Sequence, residues 1–412
     1  MAVNGIDETG PRGSRGSFRL DLPPFLDAYV ETCAGHIAEA IGPEEILGIF
    51  LCGSFALGEG GISLDGSKAL LVSDIDILVV VERYETLERM LPKRYELGRS
   101  CEDLTSDMEF IGRVDVGIML PEDLENMPPR PGVFDLKRHG RAIYGSEALL
   151  DLVPEYGPEQ IGGRESVSLL ENRIASLLGA FERTNVTSDE FPYSFLYEIA
   201  RVYTDIATAF LSISGRYAPG YENRSVLFEG AIREKQLAVK PSEELASIVS
   251  FWTGFKLRPS RSKLEGELEP ARLLELWEEA SARIVSCWSA CESYLQGRKR
   301  DECGVSGLLA EREHTGGART NLRAWRSFLA GRPIRSRLAS IVGAGKDLCR
   351  YDPSSLVRAT ALRLMAAYIE GKGDAGVEEV PGFPGRRWDS WNGAAADISA
   401  LWREIVYGRG DA

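Results

Sequence analysis

Histidine is scarce in this chain: His36, His139 and His314 are the three in 412 residues. His36 falls in an expected helix, His139 in the segment that leads to Gly145 and His314 in an expected linker, so no histidine-built metal site or histidine-centred triad is expected. The seven cysteines are odd in number and scattered. Cys287 and Cys291 have the spacing of one helix face, but nothing forms the pair of pairs a structural zinc site needs. Free thiols in a reducing cytoplasm are therefore expected. There is no apolar run of about 18 residues, so no membrane span is expected. Met1 to Arg19 is polar and rich in Gly and Arg. It lacks the apolar stretch of a signal peptide, and residues 1–20 read as a disordered tail.

Positive charge is also short, in one half in particular. Residues 1–150 carry 14 Lys and Arg against 26 Asp and Glu, a net of −12, and the rest carries 34 against 36. Nucleic-acid affinity rests on Lys and Arg displacing counterions. So acidic a region argues against a long DNA or RNA partner, while a magnesium nucleotide, with its phosphates screened, fits.

What is present is a chain too long for one ordinary core. Pro23-Pro24 opens a helical pattern to Ile41, with Phe25, Tyr29, Cys33, Ile37 and Ile41 as its apolar positions. Ile46 to Cys52 and Ile75 to Val81 are short apolar runs rich in branched residues, which predict buried strands. Glycines 58, 60, 61 and 66 mark a loop between them. Tyr84 to Glu96 predicts a helix, and Met108 to Met119 a third strand with a bend at Gly112. A short helix follows Pro121, then a proline-rich turn at 128–131, and Phe134 to Tyr144 leads to Gly145. Beyond this the chain reads as helical: a stripe through Val167, Leu170, Ile174, Leu177 and Leu178, then Phe195–Ile213, Leu245–Phe255 and Leu273–Tyr294. Residues 321–370 return to helical periodicity, 371–393 are loop-like, and Ala394–Tyr407 is a last helix. The division expected is 21–150, a helical domain over 160–296, a linker over 297–320 and a C-terminal helical region over 321–412.

The chemistry lies in the first 150 residues, at three places. Gly53-Ser54 follows a strand directly, where glycine lets backbone N–H groups approach a phosphate and serine adds a hydroxyl. Asp74 and Asp76 open the second strand and point to one face, about 7 Å apart along it. Such carboxylates repel unless a cation lies between them, and a hard cation such as Mg²⁺ takes oxygen ligands of this kind. Asp115 interrupts the apolar strand Val114 to Ile118. A buried carboxylate there must be paired, hydrogen-bonded or metal-bound. Pairing to Arg113 is the structural alternative. If its strand lies beside the second, the three aspartates and the turn compose a two-metal phosphoryl-transfer site. Gly61 to Lys68 imitates a phosphate-binding loop, but its Ser-Lys order is reversed and no strand precedes it closely.

This order of Gly-Ser, Asp-x-Asp and a later strand Asp resembles the DNA polymerase β-like nucleotidyltransferase superfamily, over about residues 25–150. Leu136 to Gly145 is similar to the segment that closes many bacterial and archaeal members. The resemblance implies an α+β fold: a nucleotidyltransferase domain with a small mixed sheet, followed by an α-helical domain. It implies that Gly53 and Ser54 hold nucleotide phosphates and that Asp74, Asp76 and Asp115 are catalytic metal ligands for Mg²⁺ or Mn²⁺. The implied reaction moves an NMP from an NTP to a hydroxyl of a small molecule or protein, releasing pyrophosphate. A cyclic-oligonucleotide synthase and a catalytically inactive nucleotide-binding module of the same fold stay open. Ser54 and Asp74 stand 20 positions apart, wider than the family's usual spacing, so an inserted hairpin or loop is expected over Gly60 to Ala69. The helical remainder loosely resembles the helical domains of aminoglycoside nucleotidyltransferases and HEPN-type partners. The HEPN ribonuclease Arg–His motif is missing, however, as no histidine lies between His139 and His314. Gly215 to Arg224, rich in Arg and Tyr, is the most distinctive stretch there, a turn that could line an acceptor pocket.

Overall fold

The computed structural model describes residues 23–64, 68–185, 191–264, 268–299, 303–311, 321, 322, 324–326, 328, 351–379 and 388–407. The N-terminal tail, residues 300–302 and 312–320 of the expected linker, and residues 329–350 and 380–387 of the expected C-terminal region lie outside the described residues. Two compact units are present: Met1–Gly157 with Leu257–Ser260, and Pro158–Lys256 with Arg261–Ala412. The chain is a mixed α and β structure with small mixed sheets and many helices.

The first unit begins with α1 (Pro24–Ile41), where the ring of Pro24 fits the first helical turn, in which its missing N–H has no partner to lose. Its buried face is Leu26, Tyr29, Val30, Cys33, Ala34, Ile37, Ala38 and Ile41. Phe25, expected on that face, is 41% exposed; Leu26, one residue on, takes its place. Then come β1 (Ile46–Cys52), the four-residue α2 (Gly53–Ala56), β2 (Ile62–Ser63), β3 (Ala69–Leu71) and β4 (Ile75–Val81). The single helix expected over 84–96 is two, α3 (Tyr84–Met90) and α4 (Arg94–Glu102), separated by a 3-10 turn at Leu91–Lys93. Pro92 is the reason: it has no N–H for the helical ladder. The expected strand over 108–119 is also two, β5 (Met108–Phe110) and β6 (Val114–Met119), and they join different sheets. Next are α5 (Pro121–Glu125), α6 (Pro131–His139) and β7 (Arg141–Gly145).

The larger sheet has the order β6-β4-β1-β7. β1 runs antiparallel to both β4 and β7, and β4 runs parallel to β6. β4 is thus central, which explains its unbroken apolar run: both its faces are covered. Ile75, Ile77, Val79 and Val81 pack in one core with α1 and α4, while Leu78 and Val80 join Phe50, Leu136 and Ala142 in a second core on the other face. Burying such a side chain contributes roughly 1.5–3 kcal/mol each. α4 lies close on β6 because Gly98 has no Cβ; one placed there would meet the Val114 carbonyl oxygen at 2.2 Å.

The second sheet, β2-β3-β5, is where the expected insertion lies. β2 and β3 form an antiparallel pair, and β3 runs parallel to β5. The extra residues between Ser54 and Asp74 therefore belong to a small sheet that also recruits 108–110.

The second unit is helical in its described residues: α7 (Gly163–Ala180), α8 (Tyr193–Ile213), α9 (Tyr221–Arg233), α10 (Leu245–Leu257), α11 (Pro270–Leu295), α12 (Val305–Glu311), α13 (Pro353–Ile369), α14 (Gly373–Glu379) and α15 (Trp391–Tyr407). The expected stripe on α7 is buried, and α7 packs against α8, α11, α13 and α15. Three helices correct the sequence reading. α9 follows the 215–220 turn at once, α14 stands in the expected 371–393 loop, and α12 stands in the expected linker. Val305, Leu308 and Leu309 of α12 are buried, an apolar face too short to stand out in a glycine-punctuated stretch. Being surrounded, α7 also buries charge: Arg173 donates to Asp205 at 2.8 Å and to Glu198 at 3.2 Å.

Candidate functional site

Strand directions bring the expected residues to one end of the larger sheet. β1 ends at Cys52 as β4 begins, because the two are antiparallel; β6 begins at the same end, because it is parallel to β4. Register is specific here: Asp76 pairs with Asp115, and Cys52 pairs with Asp76. Side chains of laterally paired residues lie on one face of a sheet. Cys52, Asp76 and Asp115 therefore share the face that farther along carries Phe50, Leu78 and Val80.

Gly53 adopts φ +62°, a left-handed conformation that favours glycine. A Cβ at this position would lie 1.9 Å from Oδ2 of Asp76. Ser54 follows, buried in the first turn of α2, and its carbonyl accepts the Glu59 N–H at 2.8 Å. The turn and the carboxylate strand are thus in direct contact.

Asp74 sits one residue before β4, and its Oδ1 accepts the Arg113 backbone N–H at 3.1 Å. Asp115 is partly buried. Burial first, and then the charge of Asp74, push its carboxyl above the usual range, while the guanidinium groups of Arg113 and Arg94 pull it down part of the way. The three aspartates are gathered by the backbone at this end of the sheet: the charge of Asp74 reaches Asp115, and Asp76 lies against Gly53. Among the described residues, no group of three or more His, Cys, Asp or Glu side chains is arranged to hold a metal ion.

The donor chemistry still suits a hard cation. Mg²⁺ binds through one or two carboxylates and completes its octahedron with water and substrate phosphate oxygens. Carboxylates at the starts of two adjacent strands, with a phosphate-compatible turn beside them, suit that chemistry.

Several neighbours escaped the sequence reading. Ser73, 1% exposed, accepts the Gly61 N–H at 2.8 Å on its hydroxyl, while Gly61 O accepts from Val72 and Ser73 N–H. The base of the β2–β3 hairpin is thereby tied to the residue before Asp74. Glu102 accepts the Val114 N–H at 2.9 Å and so anchors the start of β6; burial raises its carboxyl. Arg94 lies over the Tyr95 ring at 4.1 Å. Burial raises the Tyr95 phenol, with Asp115 adding to the effect. Ser73 and Glu102 had no sequence signal, since each acts through a contact with a separate segment of the fold. Burial, and then Asp76, push the Cys52 thiol well up, which disfavours its thiolate form.

No family model matches this chain, and no curated protein was found to match it. Residue geometry alone therefore carries the functional reading.

Proposed function

We propose that the first unit is a nucleotidyltransferase of the polymerase β-like kind, moving an NMP from an NTP to a hydroxyl of a small molecule or protein. The observation that carries this reading is the lateral pairing of Asp76 with Asp115, beside a glycine turn that presses on Asp76. The small mixed sheet, with β1 antiparallel to β4 and β4 parallel to β6, supports it by setting turn and carboxylates at one end.

In the proposed reaction the acceptor oxygen bonds to the α-phosphorus, the α–β anhydride bond breaks, and pyrophosphate leaves. Mg²⁺ or Mn²⁺, held by Asp74, Asp76 and Asp115, would supply charge neutralisation at the phosphates and acidify the acceptor hydroxyl. Gly53 and Ser54 hold phosphate oxygens through the backbone N–H groups and hydroxyl of the turn. Asp115, with its raised proton affinity, suits the removal of the acceptor proton. The acidity of the first 150 residues favours a small or protein acceptor over a polynucleotide. A second nucleotide, as in a cyclic-oligonucleotide synthase, is a small acceptor too.

One observation favours a second reading, a nucleotide-binding module without turnover. One carboxylate oxygen of Asp74 already accepts the Arg113 N–H. The two readings separate in an assay of pyrophosphate release from Mg²⁺ with ATP, GTP, CTP and UTP, with and without candidate acceptors. Asp74→Ala should abolish release while the chain stays folded. Release undiminished in that variant rejects the metal role. Thermal stabilisation by Mg-NTP with no release for any acceptor selects the second reading, because a ligand of the folded state raises the melting temperature in either case.

A further inference from the structure

A cleft of about 810 Å³ opens in the helical unit among α8, α10 and α11. Ligand cavities are commonly 300–1,000 Å³, largely apolar, with a few placed polar groups. The floor here is aromatic: Tyr203 and Trp252 stack with ring centroids 6.1 Å apart and planes 5° apart. Phe251 stands edge-on to Trp252 at 5.2 Å and is 45% exposed, a large apolar ring left at the rim.

The polar groups of the cleft are unequal. Two arginines line it, but both are occupied: Arg283 binds Glu244 at 2.7 Å and Arg272 binds Glu275 at 2.8 Å. Glu279 also lines it, one turn from Arg283 on α11, and has no ion pair among the described residues. Tyr203 is 4% exposed, yet its hydroxyl has no hydrogen bond among the described residues. This oxygen is not among the buried polar atoms left without a partner, so it reaches the open space of the cleft and can accept a hydrogen bond there. Burial holds this phenol up to about 12, with Arg283 and Glu279 as its charged neighbours, so it is neutral at pH 7.

We propose that this cleft binds a small organic amine, whose ammonium group donates to Glu279 and to the Tyr203 oxygen while its apolar body lies against Phe251 and Trp252. An ammonium group has donors and no acceptor, which matches a free carboxylate and a phenol oxygen. Aromatic faces add cation–π attraction. An anionic ligand would meet two arginines whose charge is already shared with Glu244 and Glu275, and the carboxylate of Glu279 beside them. The inference does not depend on the reading of the first unit.

The test is calorimetric titration of the full chain with phenethylamine, and with phenylacetate as the charge-reversed control. Phenethylamine should bind and phenylacetate should not. Glu279→Gln, at an exposed position that leaves folding intact, should weaken the amine about tenfold. Tyr203→Phe keeps the ring stack and removes only the hydroxyl; it should weaken binding about fivefold. Unchanged melting temperatures in both variants would assign those losses to the ligand contact. No binding of phenethylamine up to about 10 mM (a binding energy below about 3 kcal/mol) overturns the proposal. Equal affinity for phenylacetate, or an affinity unchanged by Glu279→Gln, does so as well.

Discussion

Asp76 is in contact with Gly53: the glycine leaves the space that one methyl group would take from the carboxylate, with 1.9 Å between an added Cβ and Oδ2. This contact joins the end of β1 to the start of β4 and fixes the turn at the carboxylate strand. Gly53→Ala should then cost at least about 1–2 kcal/mol from the left-handed backbone alone, plus the displacement of Asp76. Urea denaturation would measure it. In a double-mutant cycle with Asp76→Gly the two losses should be less than additive. Full additivity would mean that the residues do not press on each other.

Asp115 sets a pH dependence. Its carboxyl is raised in the fold, mainly by burial and then by Asp74. The folded state therefore holds the proton more tightly than the unfolded chain, whose carboxyl titrates near about 3.9. Stability from this group is fully present below that value and is lost as pH rises through the folded value. Asp115→Asn removes the titration, so its urea midpoint should gain on wild type as pH goes from about 4 to about 7. A difference constant across that range would refute the assignment.

Ser73 should be a positioning residue for the hairpin base. Ser73→Ala removes the acceptor of the Gly61 N–H and should cost about 1 kcal/mol. Amide hydrogen exchange at Gly61 should quicken more than exchange in β1. Equal protection at Gly61 in both proteins would show that the bond does not hold the hairpin.

In the helical unit, Arg173 is 6% exposed and holds Asp205 and Glu198. Arg173→Met leaves Asp205 buried without its cation, because Arg201 pairs with Glu198 and not with Asp205. Removing one partner from a buried pair costs about 3–5 kcal/mol, readable as a lower guanidinium midpoint. A loss under about 1 kcal/mol would place the pair in a wetter setting than its burial indicates.

The sequence determined the elements whose pattern is local. Ile46–Cys52 and Ile75–Val81 have the bounds that their apolar runs indicate, because a strand covered on both faces is apolar along its length, save at Asp76 where β4 opens. The α7 stripe and the close of α8 before Gly215 were legible for the same reason: helical period and a left-handed glycine are local signals. Pro92 carried its break in plain view, yet the periodicity around it masked the two helices.

Tertiary structure alone decided the rest. That Met108–Phe110 and Val114–Met119 join different sheets depends on which strand lies beside each, and periodicity is the same in either sheet. That β7 completes the larger sheet was hidden in a segment of mixed character. The sequence placed Gly53, Ser54, Asp74, Asp76 and Asp115 in one chain order, but their meeting at one sheet end needed the antiparallel and parallel pairings of β4. The neighbours that each carboxylate meets, Gly53 for Asp76 and the Arg113 N–H and Asp115 for Asp74, lie in segments up to 41 positions apart and were supplied by the fold. Alternation along a strand fixes the face on which a side chain lies; only the neighbours that the fold supplies fix where on that face its charge comes to rest.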